Sequence, residues 1–253
     1  GAEAKGGCPL APGDAASICS RVAACVKAGR PRTVFIEDDY TLSNCAGQTK
    51  MGGCFCPLHC TAFAKRTGKA LSAAEIAALF AKPTPENRPL REAFALTCRD
   101  SLAQLAGEIR RTIDAIDPTV RVCLCESGCV DLDGGTTEAN ARAFAGGTRP
   151  LVRVYGASYM DENSPLSLPR VVAHTFWSVQ HLPADVETIH ETDGYPHTRS
   201  YVSANFLGSE LAAALLFPHL WRRLGSQKMM LLSVIFMALK PAAFALAPNL
   251  GWV

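Results

Sequence analysis

The sequence predicts an α/β protein built on a parallel sheet. Short apolar runs alternate with longer stretches at helical spacing, and the alternation repeats four times between residues 15 and 216. Polar residues gather just past each apolar run: Glu37–Asp39, Glu126–Ser127, Tyr155 and Glu191–Asp193. Strand–helix units repeating in this way imply parallel strands, in a sheet either open or closed into a barrel. Proteins of this class place their active sites at the C-terminal ends of the strands, which makes an enzyme the leading expectation.

In chain order, residues 15–29 carry Ile18, Val22, Ala23 and Val26 at helical spacing, and Gly29 supplies a stop. Arg32–Tyr40 is a short apolar run ending in three acids, the pattern of a buried strand whose C-terminal end carries carboxylates. Residues 41–60 read as a Gly- and Cys-rich loop. Residues 72–81 and 89–116 read as helices, the second with an apolar face running from Leu90 to Ile116 and stopped by Asp117-Pro118. Val120–Cys125 is the second strand, Thr136–Ala145 a short helix and Leu151–Tyr155 the third strand. A helix over 168–181, a strand over Asp185–Glu191 and a helix over Ser203–Leu216 complete the pattern.

The chain has 253 residues, 48% of them hydrophobic and 19% charged, which fits one large domain or two small ones and excludes a disordered chain. Residues 218–253 hold Arg222, Arg223, Lys228 and Lys240 and no acid. Taking those four from the 25 basic residues leaves 21 against 23 acidic ones in residues 1–217. The main body is therefore mildly acidic, and no nucleic-acid partner is expected. Met229–Leu239 is apolar except for Ser233, then Lys240-Pro241 interrupts it, short of the roughly 20 residues a membrane span needs. Residues 1–217 thus read as the catalytic-type domain. Residues 218–253 read as an apolar, basic tail: a packed helix, a membrane contact, or sequence foreign to the domain. Gly1–Gly7 lacks a charged-then-apolar export pattern, so a cytoplasmic protein is the expectation.

Two carboxylate clusters fall at strand ends. Within Glu37-Asp38-Asp39, the first and third acids share a strand face, and three adjacent acids favour a raised pKa or a bound cation. The other reading is a solvated acidic loop. The second cluster, His190–Asp193, also ends a strand, and two such clusters on one sheet edge can flank a glycosidic bond. His190 and His197 bracket the second cluster and could bind substrate hydroxyls, and in a glycosidase Glu126, Tyr155 and His197 would orient the sugar, whereas His174 and His181 read as surface or core residues.

Eleven cysteines are many for this length, yet the chain is too long and too helical for a disulfide scaffold. They include two groups of identical spacing, Cys54-x-Cys56-x3-Cys60 and Cys123-x-Cys125-x3-Cys129. The first contains His59 and follows Cys45, giving five soft ligands in one loop, enough for a structural zinc. In the second, Cys123 and Cys125 share a strand face, where a free thiol commonly fills core space.

Glu37–Tyr40, Cys45, Gly53-Cys-Phe-Cys-Pro-Leu-His-Cys60 and Phe63 together resemble the fourth-strand region of glycoside hydrolase family 42 and its relatives, which are (β/α)8-barrel β-galactosidases. The resemblance covers about residues 15–216 and implies a TIM-barrel-like glycosidase fold of which strands four to seven are readable. It puts Asp39 in the acid/base place and Asp38 in that of the preceding Asn. Cys45, Cys54, Cys56 and His59 become zinc ligands, with Cys60 as a substitute. Ile189–His197 resembles the seventh-strand region, with Glu191 as nucleophile and Asp193 next to it. The implied activity is retaining hydrolysis of O-glycosidic bonds in a carbohydrate, with zinc structural and no cofactor in catalysis. Asp39 departs from the family's Glu, and the Cys spacing is off by one unless His59 is a ligand. A zinc- or thiol-dependent binding protein and a catalytically silent barrel fragment are the rival expectations.

Overall fold

The computed structural model describes residues 7–37, 40–42, 53–126, 137–154, 175, 178, 179, 181–191, 223, 224 and 228. The chain divides into two compact units, Gly1–Gly156 with Trp177–Glu191, and Ala157–Phe176 with Thr192–Val253. Of the second unit, only Thr175, Arg223, Leu224 and Lys228 are described, each in helical conformation. The division expected at residue 217, the helix expected over 203–216 and most of those expected over 168–181 and in the tail lie outside the described residues. No described helix is long and apolar enough to cross a membrane.

The first unit is α/β with a four-stranded parallel sheet. Its elements are α1 (Pro12–Gly29), β1 (Thr33–Ile36), α2 (Pro57–Thr67), α3 (Ala73–Ala81), α4 (Arg88–Asp114), β2 (Arg121–Cys125), α5 (Thr137–Ala145), β3 (Leu151–Val154) and β4 (Glu187–His190). The strands lie in the order β1-β2-β3-β4, every pair parallel. Phe35 aligns with Cys123, Cys123 with Leu151, and Arg153 with Ile189.

This register sorts the side chains onto two faces. Val34, Ile36, Val122, Leu124, Val152 and Val154 pack with Val26 of α1, Leu105, Ile109 and Ile113 of α4, and Phe144 of α5 in one core. Each fully buried aliphatic chain there contributes about 1.5–3 kcal/mol of transfer free energy. The opposite face carries Phe35, Cys123, Cys125, Leu151, Arg153 and Ile189. Phe35 and Ile189 are exposed there, while Cys123 and Cys125 are buried.

A second, smaller core lies between α2, α3 and the first half of α4, formed by Phe63, Ile76, Phe94 and Cys98. The 27-residue α4 is common to both cores, with Phe94 and Cys98 in one and Leu105 to Ile113 in the other.

The sequence reading of 41–60 as one loop is corrected by α2, which starts inside it. Pro57 stands in the first helical turn, where its missing N–H costs nothing, and Gly68 closes the helix with φ 70°. For α3, Ser72 and Glu75 form a reciprocal capping box.

Candidate metal centre

Four potential ligand atoms, from Cys8, Cys54, Cys56 and His59, all lie within 4.8 Å of one another. Each is brought there by a separate local device. Cys8 precedes α1, and its N–H donates to Asp14 Oδ2 at 2.8 Å, while its carbonyl accepts from Ala11 N–H at 2.9 Å. Cys54 follows Gly53, whose φ of 102° favours glycine. A Cβ at Gly53 would stand 2.8 Å from Phe94 Cε1 and 3.1 Å from Cys98 Sγ. Phe55, between the two cysteines, stacks on Phe94 with ring centroids 4.8 Å apart. Cys56 is the N-cap of α2, so His59 falls in the first helical turn and turns back toward it.

Three of the six separations approach the edges of a tetrahedral ion's ligand shell, and those to Cys54 lie within 4.8 Å. Cys8 Sγ lies 3.5 Å from Cys56 Sγ and 3.5 Å from His59 Nδ1, and Cys56 Sγ lies 3.4 Å from His59 Nδ1. A zinc ion with Zn–S of about 2.3 Å and Zn–N of about 2.0 Å has tetrahedral edges of roughly 3.5–3.8 Å. Four protein ligands would close the coordination sphere, as in a structural rather than a catalytic site.

The imidazole is held for ligation. Its Nε2 lies 2.9 Å from Ser101 Oγ, and that hydroxyl donates to the carbonyl of Cys98 at 2.7 Å. A hydroxyl has one proton to donate, so Ser101 accepts from His59 Nε2–H and leaves the Nδ1 lone pair facing the thiols. Burial pushes the His59 pKa down to about 4, keeping the ring neutral at physiological pH.

The thiols differ. Burial pushes Cys54 up to about 12, and burial also raises Cys8. Burial acts the same way on Cys56, but the His59 N–H, the Cys8 and Cys54 thiols and the Leu58 N–H outweigh it and hold this thiol below its ordinary value. A helix N-terminus favours a thiolate.

Of the ligands expected from the sequence, Cys54, Cys56 and His59 are in the cluster, and Cys45 lies outside the described residues. Cys60 is not in it. One residue beyond His59 on a helix, it is rotated by about 100°, packs toward the Phe63–Phe94 core, and its thiol donates to the Phe55 carbonyl at 3.6 Å. Among the described residues the fourth ligand group comes from Cys8, which the sequence reading did not name because of its long separation from the loop.

The expected strand-edge carboxylates are described in part. Glu37 is exposed one residue past β1, and Glu126 is buried directly past β2. Glu191, directly past β4, is also buried, and its Oε1 accepts from Arg153 Nη1 at 2.6 Å. Glu126 N–H donates to the Arg153 carbonyl and Glu191 N–H to that of Val154, so the two acids flank the end of β3. Asp38, Asp39, Tyr155, Asp193 and His197 lie outside the described residues. No protein-family model matches the chain, and neither does any curated protein or solved structure.

Proposed function

We propose that this protein is a zinc-binding α/β protein in which a Cys3His centre ties the segment before α1 to the start of α2. The observation that carries this reading is the set of 3.4–3.5 Å separations among Cys8 Sγ, Cys56 Sγ and His59 Nδ1. The hydrogen bond that turns the His59 Nδ1 lone pair toward the thiols supports it. Zinc fits better than a hard cation because three ligands are sulfur and the fourth is imidazole. Elemental analysis of protein purified without chelator is expected to find one zinc per chain. Metal-free but folded protein that takes up no added zinc would remove the proposal.

A second reading assigns the chemistry to the other end of the molecule, as retaining hydrolysis of O-glycosidic bonds in a carbohydrate. It is favoured by acids at the ends of β1, β2 and β4, and by the pairing of the buried Glu191 with Arg153, which suits a carboxylate that must stay ionised to attack. The unbroken strand order, with α1, α4 and α5 against one face, is the arrangement a (β/α) barrel would have. On a flat sheet the ends of β1 and β4 stand about 14 Å apart, and barrel curvature would bring Asp39 and Glu191 toward the roughly 5–5.5 Å of retaining enzymes. Glu37, Asp38, Glu126, Tyr155, Asp193 and His197 would line the sugar site. The test is a panel of aryl glycosides. Turnover that vanishes in a folded Glu191→Gln variant is expected, and equal rates in both proteins would refute the assignment.

A further inference from the structure

We infer that Cys8 and Cys56 are a redox pair, which closes into a disulfide when a hydroperoxide reaches the metal centre and so keeps the link between α1 and α2 after the metal has left. In its resting state the device rests on the zinc reading above; the pairing itself depends only on how the thiols are arranged. The two sulfurs are already 3.5 Å apart, and neither cysteine is fully buried, unlike His59 at 0% exposure. Cys56 stands at the N-terminus of α2, where backbone N–H groups point outward. The alternative partner, Cys54, is two residues away along the same chain, and so short a ring opposes the dihedral a disulfide prefers. Cys8 and Cys56 are separated by 48 positions and carry no such restriction.

The chemistry balances with hydrogen peroxide as the hydroperoxide and the only oxidant. The Cys56 sulfur attacks one peroxide oxygen, the O–O bond breaks, and a sulfenic acid and hydroxide result. The Cys8 sulfur then attacks the sulfenic sulfur, forms the S–S bond and expels the second hydroxide. Both hydroxides take protons, from the thiols or from solvent, and leave as water. The two sulfurs are oxidised together by two electrons, and the peroxide is reduced by the same two. Zinc loses two of its four ligands and dissociates. Because Cys8 is fastened to the first turn of α1 through Asp14, the new bond holds the same two segments that the ion held.

The test treats the full-length protein with hydrogen peroxide, follows zinc with a chromogenic chelator, and maps cross-links by mass spectrometry of unreduced peptides. Zinc release is expected to rise in step with a Cys8–Cys56 linked peptide, and a dithiol reductant should restore zinc uptake. Cys60→Ser should leave both unchanged. In Cys8→Ser the linked peptide should fall to background, and Cys56 should run on to the sulfinic acid, which the reductant does not reverse. A dominant Cys54–Cys56 link, a link between two chains, or zinc release with the Cys8 thiol intact would overturn the inference. If the protein holds no zinc, the metal reading fails separately; the metal-free protein must still form the Cys8–Cys56 bond, and its absence would overturn the pairing.

Discussion

Two cysteine groups with the same spacing have opposite fates in this molecule. Cys54-x-Cys56 runs into a helix N-terminus, where a single helical turn adds His59 and the chain before α1 adds Cys8. Cys123-x-Cys125 runs along β2, where alternation puts both thiols on one buried face between Phe35 and the residues of β3. There the influence of each thiol on the other holds Cys123 below its ordinary pKa and, together with burial, raises Cys125, while the Cys123 thiol donates to the Leu124 carbonyl at 3.9 Å. Among the described residues the strand pair recruits no third ligand group. Among the described residues, which leave out Cys129, spacing alone therefore does not gather four ligand groups. The element that carries the pair, a helix N-terminus in one case and a strand in the other, decides which described ligands can converge.

The largest expected effect tests that difference directly. Cys56→Ser should abolish zinc binding. With zinc about a thousandfold above its Kd, the variant should also lose roughly 4 kcal/mol of stability, and chelation of the wild type should cost the same. Cys123→Ala removes core volume and a weak thiol donor, so it should cost about 1–2 kcal/mol and leave the zinc content untouched. Urea unfolding with and without chelator, paired with metal analysis, measures both. Zinc loss from Cys123→Ala would mean that the strand pair takes part in the centre and that the two groups are not separate.

Next in size is the acid dependence of the metal-free protein. The His59 pKa is about 4 in the fold, against an ordinary value of 6.5. Between those values the unfolded chain binds the proton and the folded chain refuses it. Stability is therefore complete above pH 6.5 and falls as pH drops toward 4, by about 3 kcal/mol for the whole shift. Urea midpoints of chelated protein at pH 7 and pH 4.5 should show this fall, and His59→Gln should flatten it. An equal fall in the variant would place the acid sensitivity elsewhere. With metal present, proton competition should come instead from the raised Cys54 and Cys8 thiols, weakening zinc binding as pH falls.

The same two regions show how much could be read from the sequence. The four strands and the helices over α1, α3, α4 and α5 follow from apolar period and from stop signals such as Gly29 and Asp117-Pro118, because burial against one sheet imposes those patterns. Cys54, Cys56 and His59 were legible because a short loop and one helical turn fix their proximity. Cys8 was not, since its approach depends on tertiary packing of α1, α4 and α2, which no local pattern encodes. Helix α2 left a signal, Pro57 with Gly68, that the density of Gly and Cys obscured. The Arg153–Glu191 pair was hidden for a different reason: it depends on the register of β3 against β4, and a one-residue slip would turn Arg153 to the other face.

The smallest effect concerns Ser101, which touches no metal ligand atom yet sets which imidazole nitrogen carries the proton. Ser101→Ala removes the acceptor for His59 Nε2–H and leaves that N–H buried without a partner. Groups of this kind are worth about 10–100-fold in metal affinity, or roughly 1.4–2.7 kcal/mol. Competition against a chromogenic chelator should show that weakening with one zinc still bound per chain at saturation, and Ser101→Thr, which keeps the hydroxyl, should recover most of it. The two variants separate orientation from packing. If Ser101→Ala bound zinc as tightly as the wild type, the helix N-terminus and the packing around His59 would suffice to orient the imidazole. The centre would then depend on where α2 begins, and α4 would act only as the surface it rests on.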